Sequence, residues 1–423
     1  TTIKEVRERG WDQLDVILFS GDAYIDHPAF GAAVVGRLLE AEGYRVAIVP
    51  QPNWRDDLRD FTKLGAPRLF FGVSGGSMDS MVNHYTANLR LRHDDAYTPG
   101  GKAGFRPDYA VTVYSQILKR LYPHTPVVIG GIEASLRRLT HYDYWSDRLK
   151  PSVLAESGAD LLIYGMGERV VQQVARAMRN GYNAKLLRKI RQVAFLSDES
   201  HVSRLDPAAT IRLHSYEECV GDKAAFGENF TVIETQSNLM EPTATLVEAV
   251  GDRYVVVTPA NTTLTTEELD HSFDLPYERA PHPRYAGKGD IPAWEMIRNS
   301  VNIHRGCFGG CSFCSSSTRA ASGRSSPRWS ALRNRPVSRA ISRMSEPHRP
   351  TCTAWAAATG SCAANAAARR ASTRRCAPTS TTTTGRCWHY TQKSAPSRAS
   401  RRLLSAAASA TICSTARPIW RRC

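Results

Sequence analysis

Short apolar runs alternate with amphipathic stretches along the N-terminal part of the chain. The runs DVILFSG (residues 15–21) and YRVAIVP (residues 44–50) are typical of buried parallel strands. Between them, apolar residues at helical spacing stop before Gly43, which predicts a helix from residue 27 that ends at a glycine. The same pattern continues in three further runs, RLFFGVSGG (68–76), TPVVIGG (125–131) and ADLLIYGMGE (159–168). This alternation predicts an α/β fold with a Rossmann-like, doubly wound parallel sheet, whose ligand-binding loops gather at its carboxyl edge.

The pattern divides the 423-residue chain into four parts. Residues 1–195 are predicted to form the Rossmann-like α/β domain, which resembles cobalamin-binding modules. Residues 196–290 are interpreted as a connecting region that contains one strand candidate, RYVVVTPA (253–260), and ends in a proline-rich extended linker. Residues 291–314 combine a predicted helix (IPAWEMIRN), an alternating strand (SVNIH) and a dense cysteine motif. Residues 315–423 differ in character from all of these.

The formal net charge of +15 belongs to the last of these parts. Residues 315–423 hold 19 arginines, one lysine and one acidic residue, whereas the first 314 residues hold 35 basic and 39 acidic residues. The basic average is therefore no evidence of a nucleic-acid partner for the patterned part of the chain. The chain also lacks an apolar run long enough for a membrane span, and its N-terminus does not look like a secretory signal.

The segment 315–423 consists mostly of alanine, serine, threonine and arginine, and it shows no helical or strand periodicity. Leucine, isoleucine, valine and phenylalanine number only seven there, too few for a packed core, so we predict that it is largely disordered. The change is abrupt and falls one residue after a cysteine motif. One hypothesis is therefore a shift of reading frame near Ser315, and the alternative is a natural basic tail.

Three cysteines stand close together in RGCFGGCSFCS as Cys307, Cys311 and Cys314. The glycines between them allow a tight loop, and three thiolates suit an iron–sulfur cluster or zinc. A structural zinc site normally takes four protein ligands, and here only the upstream His304 offers a fourth. Iron ligated by three cysteines leaves one position open for a substrate or cofactor. The cysteine usage as a whole fits a reducing compartment, and we expect a cytoplasmic protein.

The spacing Cys307-x3-Cys311-x2-Cys314, with Phe313 before the third cysteine, resembles the motif of the radical SAM superfamily. Longer stretches resemble its YgiQ family over essentially residues 1–314. These are GDAYIDHPAFG (21–31), GGSMDSMVNHYT (75–86), VVIGGIEASLRRLTHYDYWSD (127–147), LPYERAPHPRY (275–285) and NIHRGCFGGCSFC (302–314).

This resemblance implies a 4Fe–4S cluster held by Cys307, Cys311 and Cys314, with S-adenosylmethionine on the fourth iron and its adenine near Phe313. It further implies reductive cleavage of S-adenosylmethionine to a 5′-deoxyadenosyl radical, with an electron donor of flavodoxin or ferredoxin type. The cysteine loop of this superfamily follows the first strand of a partial (βα)6 barrel, so we expect a barrel to begin near Ile291.

The chain departs from the family after the third cysteine. No βα repeat follows Ser315, and no Gly-Gly-Glu-like strand end is present to bind the methionine amine. We therefore expect the chain as written to be inactive, because the barrel is missing. The alternative is a non-catalytic protein that binds zinc through its cysteines or RNA through its arginine-rich segment.

Asp26 and His27 invite comparison with a base-off cobalamin site, which uses Asp-x-His-x2-Gly so that the aspartate orients the histidine. Here the two residues are adjacent and Gly31 stands four residues after His27, so the spacing differs and we expect no cobalamin. The favoured interpretation of Asp26-His27-Pro28 is the capped start of a helix.

Other candidate residues have plain structural interpretations. The pairs at 75–76 and 130–131 are interpreted as tight turns rather than phosphate loops. Arg137-Arg138 and the aromatic stretch at 141–145 are interpreted as an amphipathic helix with inward rings, in preference to a nucleic-acid clamp. Glu133 and Glu168 follow strand ends and are expected to be solvated loop carboxylates rather than acid–base groups. Cys219 is expected to be a buried thiol.

Overall fold

A nine-stranded sheet organises the protein in the computed structural model, which describes residues 1–181, 184–239, 241–302, 304–305 and 321–322. The strands in chain order are β1 (Val16–Ser20), β2 (Ile25–Asp26), β3 (Val46–Pro50), β4 (Phe70–Ser74), β5 (Val127–Gly130), β6 (His141–Asp143), β7 (Arg148–Lys150), β8 (Leu161–Ile163), β9 (Val193–Ser197), β10 (Thr210–Arg212), β11 (Thr245–Val250), β12 (Arg253–Val257), β13 (Ala280–Pro281), β14 (His304–Arg305) and β15 (Ala321–Ser322).

Helices connect most of these strands. They are α1 (Ile3–Glu8), α2 (Gly31–Ala41), α3 (Arg59–Thr62), α4 (Ser80–His84), α5 (Ala110–Leu121), α6 (Gly131–Leu136), α7 (Val153–Ser157), α8 (Glu168–Arg179), α9 (Ala184–Leu187), α10 (Glu199–Val202), α11 (Tyr216–Gly221), α12 (Lys223–Asn238), α13 (Thr266–Asp274) and α14 (Pro292–Ile297). Short 3-10 turns lie at Pro99–Gly101, Pro207–Ala209 and Pro283–Tyr285.

The strand order in the sheet is β10-β11-β12-β9-β8-β5-β4-β1-β3. The five strands from β8 to β3 are mutually parallel, whereas β9 and β12 run antiparallel to their neighbours and β10 pairs parallel with β11. The chain passes from β1 to β3 on one side and then returns to β4 on the other. The direction of winding therefore reverses between β1 and β4.

Alternating side chains of the central strands pack into cores on both faces of the sheet. On one face Phe19 stacks on Phe61 of α3 with ring centroids 5.1 Å apart, and Phe71 packs beside them. On the other face Leu18 lies in one cluster with Leu39 of α2. Each such buried side chain contributes about 1.5–3 kcal/mol of transfer free energy, and this is the main force that holds helices to both faces.

The predicted strand runs are confirmed as β1, β3, β4, β5, β8 and β12, each inside its predicted range. The segment interpreted as a connecting region contributes more than the one strand expected there. Strands β10 and β11 also come from it, and together with β12 they extend the same sheet beyond β9. The large sheet is thus built from residues on both sides of position 195.

Helix α2 starts later than predicted. Its first residue is Gly31, and Phe30 occupies the N-cap position without a side-chain hydrogen bond, so the predicted capping role of Asp26 is wrong. Asp26 lies instead in β2, opposite β13. The end of the helix is close to the prediction, because α2 finishes at Ala41 and Gly43 follows with a φ of +81°.

The proline-rich segment predicted as an extended linker returns to the start of the chain. Its β13 pairs antiparallel with β2, and the backbone N–H of Tyr24 donates to the Tyr285 hydroxyl at 2.9 Å. Tyr277 is 3% exposed, so the segment is buried at this residue as well as paired through β13.

The helix predicted at residues 291–299 is confirmed as α14. The strand predicted at residues 300–304 is not found at residues 300–302, which have no regular structure, although β14 begins at His304. The expected barrel start is thus described only as far as Arg305, and it stays a prediction. The segment 315–423 lies outside the described residues except for β15.

Glu248 of β11 is fully buried, and its Oε2 accepts a hydrogen bond from the Thr140 backbone N–H at 2.9 Å. Burial raises the pKa of Glu248 to about 7. A carboxyl whose pKa is raised in the folded state makes stability fall as pH rises from the unfolded pKa to the folded pKa. Over the window from pH 4.5 to about pH 7, this group costs about 3 kcal/mol.

We therefore expect Glu248→Gln, which keeps an acceptor for Thr140, to be more stable than the parent chain at pH 8 and similar to it at pH 4.5. Urea denaturation at the two pH values measures the difference. The exposed Glu241→Gln is the matched control and should change neither value. Equal pH dependence in the Glu248→Gln variant and the parent would contradict this assignment.

Candidate functional site at the carboxyl edge of the sheet

The loops that follow β1, β4, β5 and β8 meet at one edge of the sheet, because these four strands are parallel neighbours. The reversal of winding lies between β1 and β4, where the connecting loops diverge. In open α/β sheets, ligands bind outside the carboxyl ends of the strands at such a reversal. This edge is therefore the candidate functional site.

The crevice between β1 and β4 is occupied by the side chain of Arg106, which is 1% exposed. Its guanidinium lies 2.8 Å from an Asp22 carboxylate oxygen and 3.1 Å from one of Asp95, and it donates to the Gly75 carbonyl at 2.9 Å. Asp22 also accepts from the Ser77 backbone N–H at 2.6 Å. Burial raises the pKa of Asp22, against the opposing effect of Arg106. The Arg106 guanidinium thus connects the loop after β1 with the loop after β4.

The glycines of these loops allow close packing. A Cβ on Gly75 would lie 3.0 Å from the Glu133 carboxyl carbon, and Gly76 adopts a φ of +114°. Gly131 also has a positive φ, of +82°. Neighbouring side chains fill the space in front of the loops. Gly130 is the last residue of β5 and Gly131 the first of α6, so the interpretation of the glycine pairs as tight turns stays a prediction.

Glu133 joins the start of two helices. Its carboxylate accepts from the backbone N–H groups of Ser80 in α4 and Val111 in α5, both at 2.9 Å. Arg137 forms an ion pair with Asp79 beside it. The expectation of a solvated carboxylate is wrong here, since Glu133 is 1% exposed and burial raises its pKa.

The same expectation is wrong for Glu168, the first residue of α8, which is 6% exposed. It pairs with the guanidinium of Arg305, which also donates to the Pro28 carbonyl at 3.3 Å. The Arg305 guanidinium lies 5.3 Å from the centre of the Phe273 ring. The chain is thereby held at this edge two residues before Cys307.

Asp26 and His27 lie next to this anchor. The Asp26 carboxylate pairs with Arg37 and accepts from the Glu278 backbone N–H at 2.9 Å. His27 is fully buried, and its Nδ1 accepts from the Ala29 backbone N–H at 3.1 Å. Burial and a neighbouring arginine lower the pKa of His27 to about 3, so its imidazole is neutral at physiological pH.

The basic and aromatic stretch after β5 is not the amphipathic helix that we predicted. Helix α6 ends at Leu136, and β6 and β7 form a hairpin at the position of the aromatic residues. The pattern of burial is also reversed. Arg137 and Arg138 are buried, whereas Tyr142 and Tyr144 are 50% and 46% exposed.

The predicted cluster ligands Cys307, Cys311 and Cys314, with Phe313, lie outside the described residues. Within the described ranges, no three histidine, cysteine, aspartate or glutamate side chains converge as a metal site would require. Cys219 is buried as predicted, and burial raises the pKa of its thiol to about 11.

The sequence patterns predict no role for Arg305 or Arg106. The position of Arg305 directly before the cysteine motif is a sequence signal that could have pointed to its role. No such signal exists for Arg106, because its partners come from the loops after β1 and β4 and from Asp95.

The chain matches the family model described as "Radical SAM N-terminal" over residues 1–300. UPF0313 proteins from Porphyromonas gingivalis and Bacteroides thetaiotaomicron are 60% and 59% identical to it over 315 and 326 residues. A UPF0313 protein from Rhodopseudomonas palustris is 50% identical over 327 residues. Each alignment covers 74% of this chain and 49%, 52% and 48% of the respective relative. The chain thus spans about half the length of the curated relatives it matches.

The α/β sheet and these matches together define a protein of the radical SAM type. The chain belongs to the radical SAM N-terminal family, and its similarity to the UPF0313 proteins confirms the resemblance found in the sequence. Among the described helices, none is long and apolar enough to cross a membrane.

Proposed function

We propose that this chain is the N-terminal part of a radical SAM enzyme, in which Cys307, Cys311 and Cys314 hold a 4Fe–4S cluster. The donor set fits this group, because three thiolates satisfy three irons and leave the fourth open. When bound, such a cluster supplies the electron for reductive cleavage of S-adenosylmethionine. By the same resemblance Phe313 would contact the adenine, and the electron would come from a flavodoxin- or ferredoxin-type donor.

The observation that carries the proposal is the anchoring of Arg305. Its guanidinium is bound by Glu168 at the start of α8 and by the Pro28 carbonyl. Two residues of extended backbone span at most about 7 Å, which limits how far Cys307 can stand from this edge. In this proposal, Glu168 and the Pro28 carbonyl hold Arg305, and with it the start of the cysteine loop, at the carboxyl edge of the sheet.

The ion pair between Arg305 and Glu168 suits this task. Glu168 is 8% and Arg305 24% exposed at the side chain, so water screens the pair only in part. Glu168 also stands at the N-terminus of the 12-residue helix α8, where the helix dipole stabilises a carboxylate. Both effects strengthen the ion pair that holds Arg305 at this edge.

We further propose that this chain, as written, does not turn over substrate. Residues 315–423 contain no βα pattern that would complete a barrel. The relatives match 74% of the chain, which is the share that residues 1–314 make up. A change of reading frame near Ser315 accounts for both observations, and the nucleotide sequence around that codon tests it directly. The idea fails if neither alternative frame continues as patterned α/β sequence.

Cluster binding is tested by anaerobic reconstitution of the full chain with iron and sulfide. We expect a brown protein with about four iron and four sulfide per chain and the thiolate-to-iron absorption of a 4Fe–4S cluster. Replacing Cys307, Cys311 and Cys314 together with alanine should abolish both. The matched control is Cys219→Ala, which removes a buried, protonated thiol and should leave the iron content unchanged.

A colourless, zinc-loaded chain, or a cluster that survives the triple substitution, would contradict the proposal. The claim of inactivity has its own readout. With S-adenosylmethionine and dithionite added to the reconstituted chain, we expect no sustained formation of 5′-deoxyadenosine. Steady turnover would show that the segment after Ser315 is not needed.

A further inference from the structure

A cavity of about 70 Å³ opens between the carboxyl end of β8 and the loop after β12. It has room for several water-sized groups. Part of its wall is apolar and consists of Pro242, Ala244, Leu246, Val257 and Leu264. Two arginines, Arg138 and Arg169, also line it, and the described lining contains no aspartate or glutamate. The cavity therefore combines an apolar wall with positive charge.

Within the described part of the chain Arg138 forms no ion pair, although the carboxylate of Glu234 in α12 is near enough to act on its charge. Its side chain is 8% exposed, and it donates to the Ser135 carbonyl at 2.7 Å and to the Ser237 hydroxyl at 3.3 Å. Its Nε makes no hydrogen bond within the described part of the chain. The ring of Tyr164 lies 5.1 Å from the guanidinium. Arg169, by contrast, is paired with Glu268 at 2.5 Å.

An unpaired buried arginine is costly, because the cation loses its hydration without gaining an anion. The other buried arginines at this edge follow the usual rule. Arg106 has Asp22 and Asp95, and Arg137 has Asp79. Burial lowers the pKa of Arg138, and the opposing effects of Tyr164 and Glu234 are smaller. Of these three described arginines, Arg138 alone forms no ion pair, and its side chain lines the cavity.

The walls of the cavity are held in place by Gln192. Its amide donates to the carbonyls of Tyr164 and Met166, both at 2.7 Å, and its Oε1 accepts from the Asn261 backbone N–H at 3.2 Å. The backbone of Gln192 has a φ of +66°, which is strained for a residue with a side chain. Such strain is typical of functional sites, where the surroundings impose the conformation.

Two further polar groups line the cavity without a hydrogen-bond partner in the described part of the chain. They are the Thr263 hydroxyl and the amide oxygen of Gln236. A ligand with one anionic group and a short apolar part would satisfy the Arg138 guanidinium, the Thr263 hydroxyl as a donor and the apolar wall, and it would leave the Gln236 amide oxygen to a water molecule.

We infer that this cavity is a binding site for a small organic carboxylate, with Arg138 as the residue that receives the carboxylate group. The site is formed by residues 138–264 and does not depend on the cysteine loop. It adds to the proposed function a ligand that the N-terminal module would recognise by itself.

The test uses the full chain and three anions at matched ionic strength: propionate, inorganic phosphate and chloride. Differential scanning fluorimetry and calorimetric titration measure binding. We expect propionate to raise Tm by about 2–4 °C at tenfold its Kd, and chloride to have no such effect. Arg138→Gln should weaken propionate binding about 10- to 100-fold.

Three control variants separate a binding role from a structural one. Arg138→Met removes the uncompensated charge, so its Tm without propionate should equal or exceed that of the parent chain. Arg138→Lys keeps the charge and should retain weaker propionate binding. Arg59→Gln removes an exposed arginine and should change nothing.

The inference is overturned if propionate acts no more strongly than chloride, or if Arg138→Gln binds as the parent does. Stabilisation by phosphate alone would overturn the assignment to a carboxylate. A large loss of Tm in Arg138→Met without ligand would show that the arginine is structural.

Discussion

Replacing Arg106 with leucine is expected to lower the free energy of unfolding by about 3–5 kcal/mol at pH 7. The substitution leaves Asp22 and Asp95 buried at side-chain exposures of 5% and 1% with no cation between them. It also removes the donor to the Gly75 carbonyl, which fixes the loop after β4. Guanidinium denaturation followed by circular dichroism measures the loss.

Acid should reduce this loss. Burial already raises the pKa of Asp22, and removing the guanidinium takes away the main opposing effect. A carboxyl with a raised folded pKa destabilises the protein progressively as pH rises. The deficit of Arg106→Leu should therefore shrink as pH falls through the folded pKa of this group.

The matched control is Arg59→Leu, whose ion pair with Asp57 is exposed on both sides and screened by water, so its loss should change stability little. A deficit in Arg106→Leu as small as this control would mean that the crevice between β1 and β4 is not held by Arg106. A deficit that does not depend on pH would mean that the two carboxylates play no part in it.

Gly21→Ala is expected to lower the free energy of unfolding by about 3 kcal/mol. The added Cβ would lie 2.9 Å from the Gly75 carbonyl carbon and would overlap the carbonyl oxygen. Backbone cannot rotate away as a side chain would, and this carbonyl is also bound by Arg106. The loops after β1 and β4 would have to separate. Urea denaturation and Tm of the purified variant measure the effect.

Gly31→Ala is the control for the loss of a glycine. It is the first residue of α2, and an added Cβ would meet no atom within 4 Å. Alanine there should leave stability unchanged or raise it by up to about 1 kcal/mol. If Gly21→Ala and Gly31→Ala behaved alike, the close approach of the two loops would not be a feature of the protein in solution.

The parallel half of the sheet was predictable because each of its strands is a continuous apolar run. Strands β10 and β11 were not. The run TIR at Thr210–Arg212 is too short to show a period, and β11 (Thr245–Val250) carries Glu248 at a fully buried position. A buried carboxylate breaks the pattern from which burial is inferred, so the sequence suggested a connecting region where the structure has sheet.

The candidate site was predictable only where its chemistry is local. The cysteine motif shows itself by spacing, because its ligands are a few residues apart. The contacts of Arg106, Glu133 and Arg305 join segments that are distant in sequence, and no periodicity records them. The predicted capping role of Asp26 was wrong for the same reason. Its neighbours suggest a helix cap, whereas its partner in β13 follows about 250 residues later.

That pairing of β2 with β13 sets the order in which the protein can fold. Contacts between residues this far apart form late, since closing a long loop costs chain entropy before any contact compensates it. On the ribosome the nine-stranded sheet can assemble once Val257 has emerged. The pairing of β2 with β13 can form only after Ala280–Pro281 has also emerged. A chain released between these points would keep the sheet and expose the apolar side of β2. A change of reading frame after Cys314 would leave both strands unaltered, so the sheet and the pair of β2 with β13 could still form.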